Sequence, residues 1–240
     1  MCGYLPTLVF LLLALTGSTD TKANVARLEA RYRAAKTLQA SFLERYTENG
    51  RLVRIEAGTA YFRRPGKMRW DYQAPEKDLF LVDGKTAWFY VPADRTATRV
   101  SAKESADWRT PLALLAGDMK ISRVCERVLT AIDEKPEDPE HAMLYCELRG
   151  AGSKFPKGAS GASPSQKPLN SEAVFFEIDT KSGDLVRVLI RDPGGIEIEF
   201  HFTNWRMDPL LPDSLFRFDA PAGVAIVNGE LPLGNSAVRH

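Results

Sequence analysis

One segment of the chain places two carboxylates and an imidazole, at Glu197, Glu199 and His201, on every second residue. In a β-strand these side chains point to the same face, where they could bind a metal ion or transfer protons. Three ligands along one flat strand give poor coordination geometry, and the residues between them are apolar. The simpler interpretation is therefore that the row is the solvated side of a half-buried strand.

The sequence lacks the motifs of the common enzyme classes. It has no G-x-S-x-G, P-loop, G-x-G-x-x-G, H-E-x-x-H or C-x-x-C segment. We therefore expect a protein that is not an enzyme and has no bound cofactor and no metal site. A hydrolase that uses the row ending at His201 is the minor alternative.

Aromatic residues crowd into one short stretch of the chain. They could fill an ordinary core or line an apolar cavity. These residues are Phe62, Trp70, Tyr72, Phe80, Trp88, Phe89 and Tyr90.

Arg64 interrupts the aromatic stretch at a position that shares strand parity with Ala60 and Phe62. A guanidinium that points into an apolar hollow needs acceptors to offset its desolvation, and the carbonyls at a helix end are natural partners. Alternatively, Arg64 lies at the Pro65-Gly66 turn and reaches solvent.

Two cysteines, Cys125 and Cys146, lie in strand-like stretches on either side of the polar turn EKPEDPE. If these strands pair as a hairpin, the two thiols could form a disulfide, which is common in exported proteins. The alternative is two small buried apolar side chains.

Size and charge exclude several classes of protein. The chain has 240 residues, with 32 Lys and Arg against 31 Asp and Glu. This balance lacks the basic excess that binding to nucleic acid requires. The apolar run at 8–15 is too short to span a bilayer but is typical of a secretory signal peptide. We predict a signal peptide over residues 1–23 and a single exported domain over residues 24–240.

The elements that must position these residues are mostly short strands. Helical spacing indicates an amphipathic helix within 24–40, and from Ala40 the period changes to two. A meander of about six strands follows up to residue 100, then a short apolar helix that contains Leu112, Leu114 and Leu115. A second strand run covers 171–207, and the Gly/Ser/Pro/Lys-rich stretch at 150–170 is predicted to be a flexible loop. The fold class is mainly β, a strongly curved antiparallel sheet of roughly ten strands that can enclose an apolar cavity.

An ordered series of motifs resembles the LolA family of periplasmic lipoprotein carriers. The series is ASFLERYTENG, G-x-A-x-F-R-R-P-G-K-M-R-W-D-Y-x-x-P, LVDGKTAWFYVP, TPLALLAG and FRFDAPAGVAIV, between residues 40 and 227.

The resemblance implies an incomplete antiparallel β-barrel, closed on one side by a helical lid, whose cavity holds the acyl chains of a lipoprotein. It implies that Arg64 hydrogen-bonds backbone carbonyls of the lid helices and holds the empty cavity shut. No catalytic residue or cofactor is implied. The predicted site comprises Phe62, Arg64, Trp70, Tyr72, Phe80, Trp88, Tyr90, Leu112, Leu114 and Leu115.

The resemblance also implies partners on both sides of the periplasm. Cargo would come from an ATP-driven inner-membrane transporter of the lipoprotein-releasing type and pass to an outer-membrane acceptor lipoprotein. A shuttle between membranes should be a monomer. The wider superfamily includes lipid carriers and periplasmic sensing domains with the same half-barrel, so a lipid carrier or a lipid- or lipoprotein-sensing domain is the alternative function.

Overall fold

Twelve β-strands join into one open sheet. The computed structural model describes residues 16–102, 112–149 and 173–229. The strands are β1 Thr37–Glu48, β2 Arg51–Arg63, β3 Lys67–Ala74, β4 Leu79–Val82, β5 Thr86–Val91, β6 Thr96–Ser101, β7 Cys125–Thr130, β8 His141–Leu148, β9 Ala173–Asp179, β10 Leu185–Arg191, β11 Ile196–Met207 and β12 Ala225–Asn228.

The strand order across the sheet is β12-β6-β5-β4-β3-β2-β1-β11-β10-β9-β8-β7. The first six strands form an uninterrupted antiparallel meander, which confirms the prediction for that part of the chain. The predicted fold class, a mainly β half-barrel with a helical lid, is also confirmed. One pairing differs, because β12 runs parallel to β6. The sequence did not indicate β12, whose four residues are all exposed and show no alternation.

Alternation along the strands gives the sheet two distinct sides. We call the side that bears Phe42, Phe62 and Trp70 the inner face; most of the buried core lies on it. The opposite side, which bears Arg187 and His201, is the outer face. Strands β1, β2 and β3 alternate between buried and less buried residues, as expected when one face is covered.

Within the described residues two α-helices accompany the sheet, α1 at Thr16–Arg33 and the four-residue α2 at Ala113–Ala116. The prediction of one helix within 24–40 was wrong at its end, because Ala35 and Leu38 follow α1 and Leu38 is an inner-face residue of β1. The spacing from Ala35 to Ala40 fits either period, so the helix end was ambiguous. No helix in the described parts of the chain is long and apolar enough to cross a bilayer.

Two predicted segments fall wholly or partly outside the described residues. Of the predicted signal peptide, residues 1–15 lie outside, and residues 16–23 form the start of α1. The predicted loop over 150–170 also lies outside.

The two cysteines lie in the expected hairpin. Strands β7 and β8 pair antiparallel, with Cys125 opposite Leu148 and Cys146 opposite Val128. The cysteines are therefore diagonal rather than directly opposite. A disulfide joins them, with their Cα atoms 5.4 Å apart. It ties the start of β7 to β8 on the inner face.

A single glycine lets two neighbouring strands approach on the inner face. At Gly58 on β2, a Cβ atom would overlap the carbonyl oxygen of Asp71 and lie 2.9 Å from Cε1 of Phe42. We therefore expect Gly58→Ala to lower the free energy of unfolding by about 3 kcal/mol, because backbone must move. Chemical denaturation measures the change.

Gly229→Ala is the matched control, since a Cβ there meets nothing within 4 Å. Equal stability of both variants would contradict the close approach at Gly58.

Candidate functional site

Trp70 is the centre of an aromatic cluster on the inner face. Its ring centroid lies 4.9 Å from that of Phe42, 5.8 Å from Phe62, 5.2 Å from Phe200 and 6.0 Å from Phe202. All five rings are buried. Such contacts between rings stabilise beyond simple burial of area.

Small residues on the neighbouring strand make room for this cluster. Trp70 on β3 pairs with Ala60 on β2, which in turn pairs with Ala40 on β1. On the other side Trp70 pairs with Phe80 of β4. The large ring can therefore lie over its small neighbours.

The structure brings together only part of the predicted aromatic set. Phe62, Trp70, Tyr72 and Phe80 are all buried in the inner-face core. The hydroxyl of Tyr72 donates to the buried carboxylate of Glu44, with 2.8 Å between Oη and Oε2. A polar pair therefore lies at the edge of the aromatic cluster.

The predicted site was wrong to include Trp88 and Tyr90. Both lie on the outer face, with ring centroids 4.9 and 5.5 Å from that of Phe218 in the C-terminal segment. The inward residues of β5 are Ala87 and Phe89. The prediction included Trp88 and Tyr90 for their aromatic character, although alternation along β5 separates them from Phe89.

The short helix α2 packs against the inner face with all three predicted leucines. Leu112, Leu114 and Leu115 are buried in the same core as Trp70. The carbonyl of Ala116, the last residue of α2, accepts a hydrogen bond of 2.8 Å from the amide of Gly66.

The longer helix α1 lies against the turn between β9 and β10. Arg31 and Asp184 form an ion pair at 2.6 Å, and a Cβ at Gly183 would lie 2.8 Å from the carbonyl oxygen of Arg27. The buried Tyr32 hydroxyl accepts a hydrogen bond of 2.8 Å from the amide of Leu185. Burial raises the pKa of this phenol above its ordinary range, so it stays neutral.

Arg64 connects the sheet to the end of α1. Its Nη1 donates to the carbonyls of Arg33 and Ala35, both at 2.8 Å, and its amide donates to the carbonyl of Lys36 at 3.0 Å. Arg33 is the last residue of α1, so its carbonyl lacks a partner within the helix, and Ala35 lies two residues beyond the helix end.

Desolvation affects the guanidinium of Arg64. Burial holds its pKa below the usual range, although Asp118 and Asp208 act in the opposite direction. Its Nε and Nη2 are buried without a hydrogen-bond partner among the described residues. Arg64 thus bridges the turn and α1 rather than reaching freely into solvent, and the turn reaches α2 through Gly66.

The three residues of the acidic row on β11, Glu197, Glu199 and His201, have different partners in the structure. Glu197 pairs with Arg191 at 2.6 Å, whereas Glu199 and His201 contact each other. The interpretation of the row as a solvated face was wrong for Glu199, which is 8% exposed.

The segment 131–140, between β7 and β8, crosses this part of the outer face: the amide of Glu137 donates to Glu177.

Known proteins resemble the chain over most of its length. A family profile described as "Outer membrane lipoprotein carrier protein LolA" matches residues 33–136. An outer-membrane lipoprotein carrier protein from Chromobacterium violaceum is 31% identical over 86% of this chain and 88% of its own length. Another, from Nitrosospira multiformis, is 28% identical over 92% and 96%. Among solved structures, the LolA superfamily protein NE2245 from Nitrosomonas europaea aligns at 9% identity and a TM-score of 0.42, covering 82% of this chain and 97% of that one. That structural likeness is too weak to carry an argument.

The Tyr32 hydroxyl should contribute measurably to the stability of the closed molecule. We expect Tyr32→Phe to lower the free energy of unfolding by about 1–3 kcal/mol, because the buried amide of Leu185 loses its acceptor. Thermal or chemical denaturation measures the loss.

Tyr90→Phe is the matched control. It removes a hydroxyl from a half-buried ring that keeps its contact with Phe218, and we expect a change within about 0.5 kcal/mol. A loss at Tyr32 no larger than that at Tyr90 would contradict the assigned hydrogen bond.

Proposed function

This chain belongs to the LolA family of outer-membrane lipoprotein carrier proteins, and on that premise we propose that it binds the acyl chains of lipoproteins and carries them through the periplasm from the inner to the outer membrane. The observation that carries the proposal is the aromatic inner face around Trp70, covered by two helices. The site works by binding and release, without catalysis and without a cofactor.

The inner face suits acyl chains because its surface is apolar and its cover is separable from the sheet. Helices α1 and α2 pack on the inner-face core as a lid. Acyl chains would replace Leu114 and Leu115 of α2 and Leu112, which directly precedes it. The buried Trp70 Nε1 has no acceptor among the described residues. An ester carbonyl at the head of an acyl chain would supply one.

The energetics require a lid that resists opening. Burying one acyl chain of about 15 methylenes yields about 12 kcal/mol at roughly 0.8 kcal/mol each. Full burial of several chains would exceed the practical limit of about 18–21 kcal/mol for noncovalent affinity and would prevent release. Part of this free energy must therefore be consumed when the lid opens.

Arg64 supplies part of the cost of opening. Its two hydrogen bonds to the carbonyls of Arg33 and Ala35 are charge-assisted, and each contributes less than the ~1.5–3 kcal/mol of a fully buried one because solvent reaches this site. Breaking them on loading keeps the affinity moderate. Reforming them on delivery favours the empty state.

The two helices are held to the sheet unequally, which suggests how the lid opens. The ion pair of Arg31 and the hydroxyl of Tyr32 fix α1 to the β9–β10 turn. The described contacts of α2 with the strands are the Gly66–Ala116 hydrogen bond and the packing of its leucines. We infer that α2 leaves the inner face first and that α1 pivots less.

A lipoprotein carrier works in the periplasm and needs a partner at each of the two membranes. A carrier of this kind is exported to the periplasm, receives cargo from an inner-membrane ABC transporter of the lipoprotein-releasing type and delivers it to an outer-membrane acceptor lipoprotein. It works as a monomer, since it must diffuse between two membranes.

We predict that Arg64→Leu leaves the fold intact, retains more cargo and delivers it poorly, because the closed lid loses its polar bonds. Native mass spectrometry of protein purified gently from the periplasm measures bound lipoprotein. Transfer to an acceptor is followed with a synthetic lipopeptide that carries two palmitoyl chains.

Arg63→Leu is the matched control, because Arg63 contacts Asp213 and the carbonyl of Leu211 in the C-terminal segment rather than the helices. We expect it to load and deliver as the unchanged protein does.

Unchanged transfer by Arg64→Leu would contradict the lid mechanism, and bound free lipid without lipoprotein would favour a lipid carrier. An empty protein in every sample would favour a sensing domain.

A further inference from the structure

A second group of interacting side chains lies on the outer face, away from the proposed acyl-chain site. At its centre the carboxylate of Glu177, fully buried, meets Nε of Arg187 at 2.7 Å and Nδ1 of His141 at 2.9 Å. Arg187 also contacts Glu134 at 3.2 Å and Glu199 at 3.7 Å. These ion pairs join β8, β9, β10 and β11 to the segment 131–140.

The network combines five carboxylates with three guanidiniums and two imidazoles. Its members, among the described residues, are the carboxylates of Glu134, Glu137, Glu177, Glu197 and Glu199, the guanidiniums of Arg45, Arg187 and Arg191, and the imidazoles of His141 and His201.

Three members of the network present ligand atoms to one another. One oxygen each of Glu137 and Glu199 and one ring nitrogen of His201 lie within 4.8 Å of one another. Glu199 and His201 come from β11, and Glu137 comes from the segment that crosses the outer face. This arrangement removes the geometric objection to three ligands on a single strand, because the third ligand comes from a different element.

We propose that Glu137, Glu199 and His201 form a surface site for a divalent transition-metal ion of the Zn²⁺ type. Two carboxylate oxygens and an imidazole nitrogen are donors that Zn²⁺ accepts, with solvent in the open position. Zn²⁺ holds such ligands at about 2.0–2.2 Å, so neighbouring ligand atoms must come within about 3.4 Å of one another. The side chain of Glu137, which is 52% exposed, is free to make that adjustment.

The bound ion would fasten the segment 131–140 to the sheet. The amide of Glu137 already donates to Glu177 at 2.9 Å, which places its carboxylate beside His201. The nearest cations are Arg45 and Arg187, at 3.6 and 3.7 Å from Glu199 oxygens. They limit the affinity, so we expect binding in the micromolar range rather than tighter.

The test is calorimetric titration of chelator-treated full-length protein with ZnCl₂ at pH 7.5, with thermal unfolding as a second readout. We expect one Zn²⁺ per chain and a higher unfolding temperature on binding. Glu137→Gln should weaken binding by about tenfold or more, since loss of a ligand costs at least as much as loss of a second-shell partner. His201→Ala should abolish it.

Glu140→Gln is the matched control. Glu140 is another exposed glutamate next to β8, but it pairs with Lys181 rather than His201, so its variant should bind Zn²⁺ as the unchanged protein does. His240→Ala controls for binding by the terminal imidazole. Because Glu137 is exposed, its variant should fold even if His201→Ala does not.

Three results would overturn the proposal: no saturable Zn²⁺ binding at one ion per chain, equal affinity in Glu137→Gln and the unchanged protein, or MgCl₂ binding as tightly as ZnCl₂. The last would show that the network attracts any divalent cation through charge alone.

Discussion

The proposed function places one requirement on the fold: an apolar inner face must be covered when it is empty and uncovered when cargo arrives. We infer that Arg64 meets this requirement at the point where the sheet touches α1. Its guanidinium binds the carbonyl of Arg33, the last residue of α1, and the carbonyl of Ala35, which follows the helix. The next turn residue, Gly66, donates to the last carbonyl of α2. One tight turn therefore contacts the ends of both helices, and a change there would act on the whole lid.

The rest of the molecule limits how far that change can spread. The buried pair of Glu177 and Arg187 joins β9 to β10 on the outer face, and its contacts with His141 and Glu199 extend the network to β8 and β11. The Cys125–Cys146 disulfide ties β7 to β8. The lid can then move against a sheet that keeps its shape. In this account the outer face supplies rigidity and the inner face supplies affinity, so the two sides of one sheet have separate tasks.

Local patterns predicted most of the fold, because strand alternation and turn residues are local signals. The six-strand meander and the β7–β8 hairpin were within reach of such reasoning, whereas the position of the three leucines over the sheet followed from the resemblance to the LolA family. The sequence did not predict contacts between residues that lie far apart in the chain. Besides Glu199 on its own strand, His201 contacts Glu137, which lies 64 positions earlier in a loop whose path across β11 no periodicity reveals. Tyr32 was missed for the same reason, since its hydroxyl accepts a hydrogen bond from the amide of Leu185, 153 positions later. Trp88 and Tyr90 were misplaced although alternation alone separates them from Phe89.

The most direct test of the central claim is amide hydrogen exchange in the empty protein and in the protein loaded with a two-chain lipopeptide. The amide of Gly66 reports on the lid because its acceptor is the carbonyl of Ala116 in α2. The account predicts that this amide exchanges faster in the loaded protein, while the amides of β1 and β2 keep their protection. Equal exchange at Gly66 in both states would mean that α2 stays on the inner face when acyl chains bind, which would contradict the account.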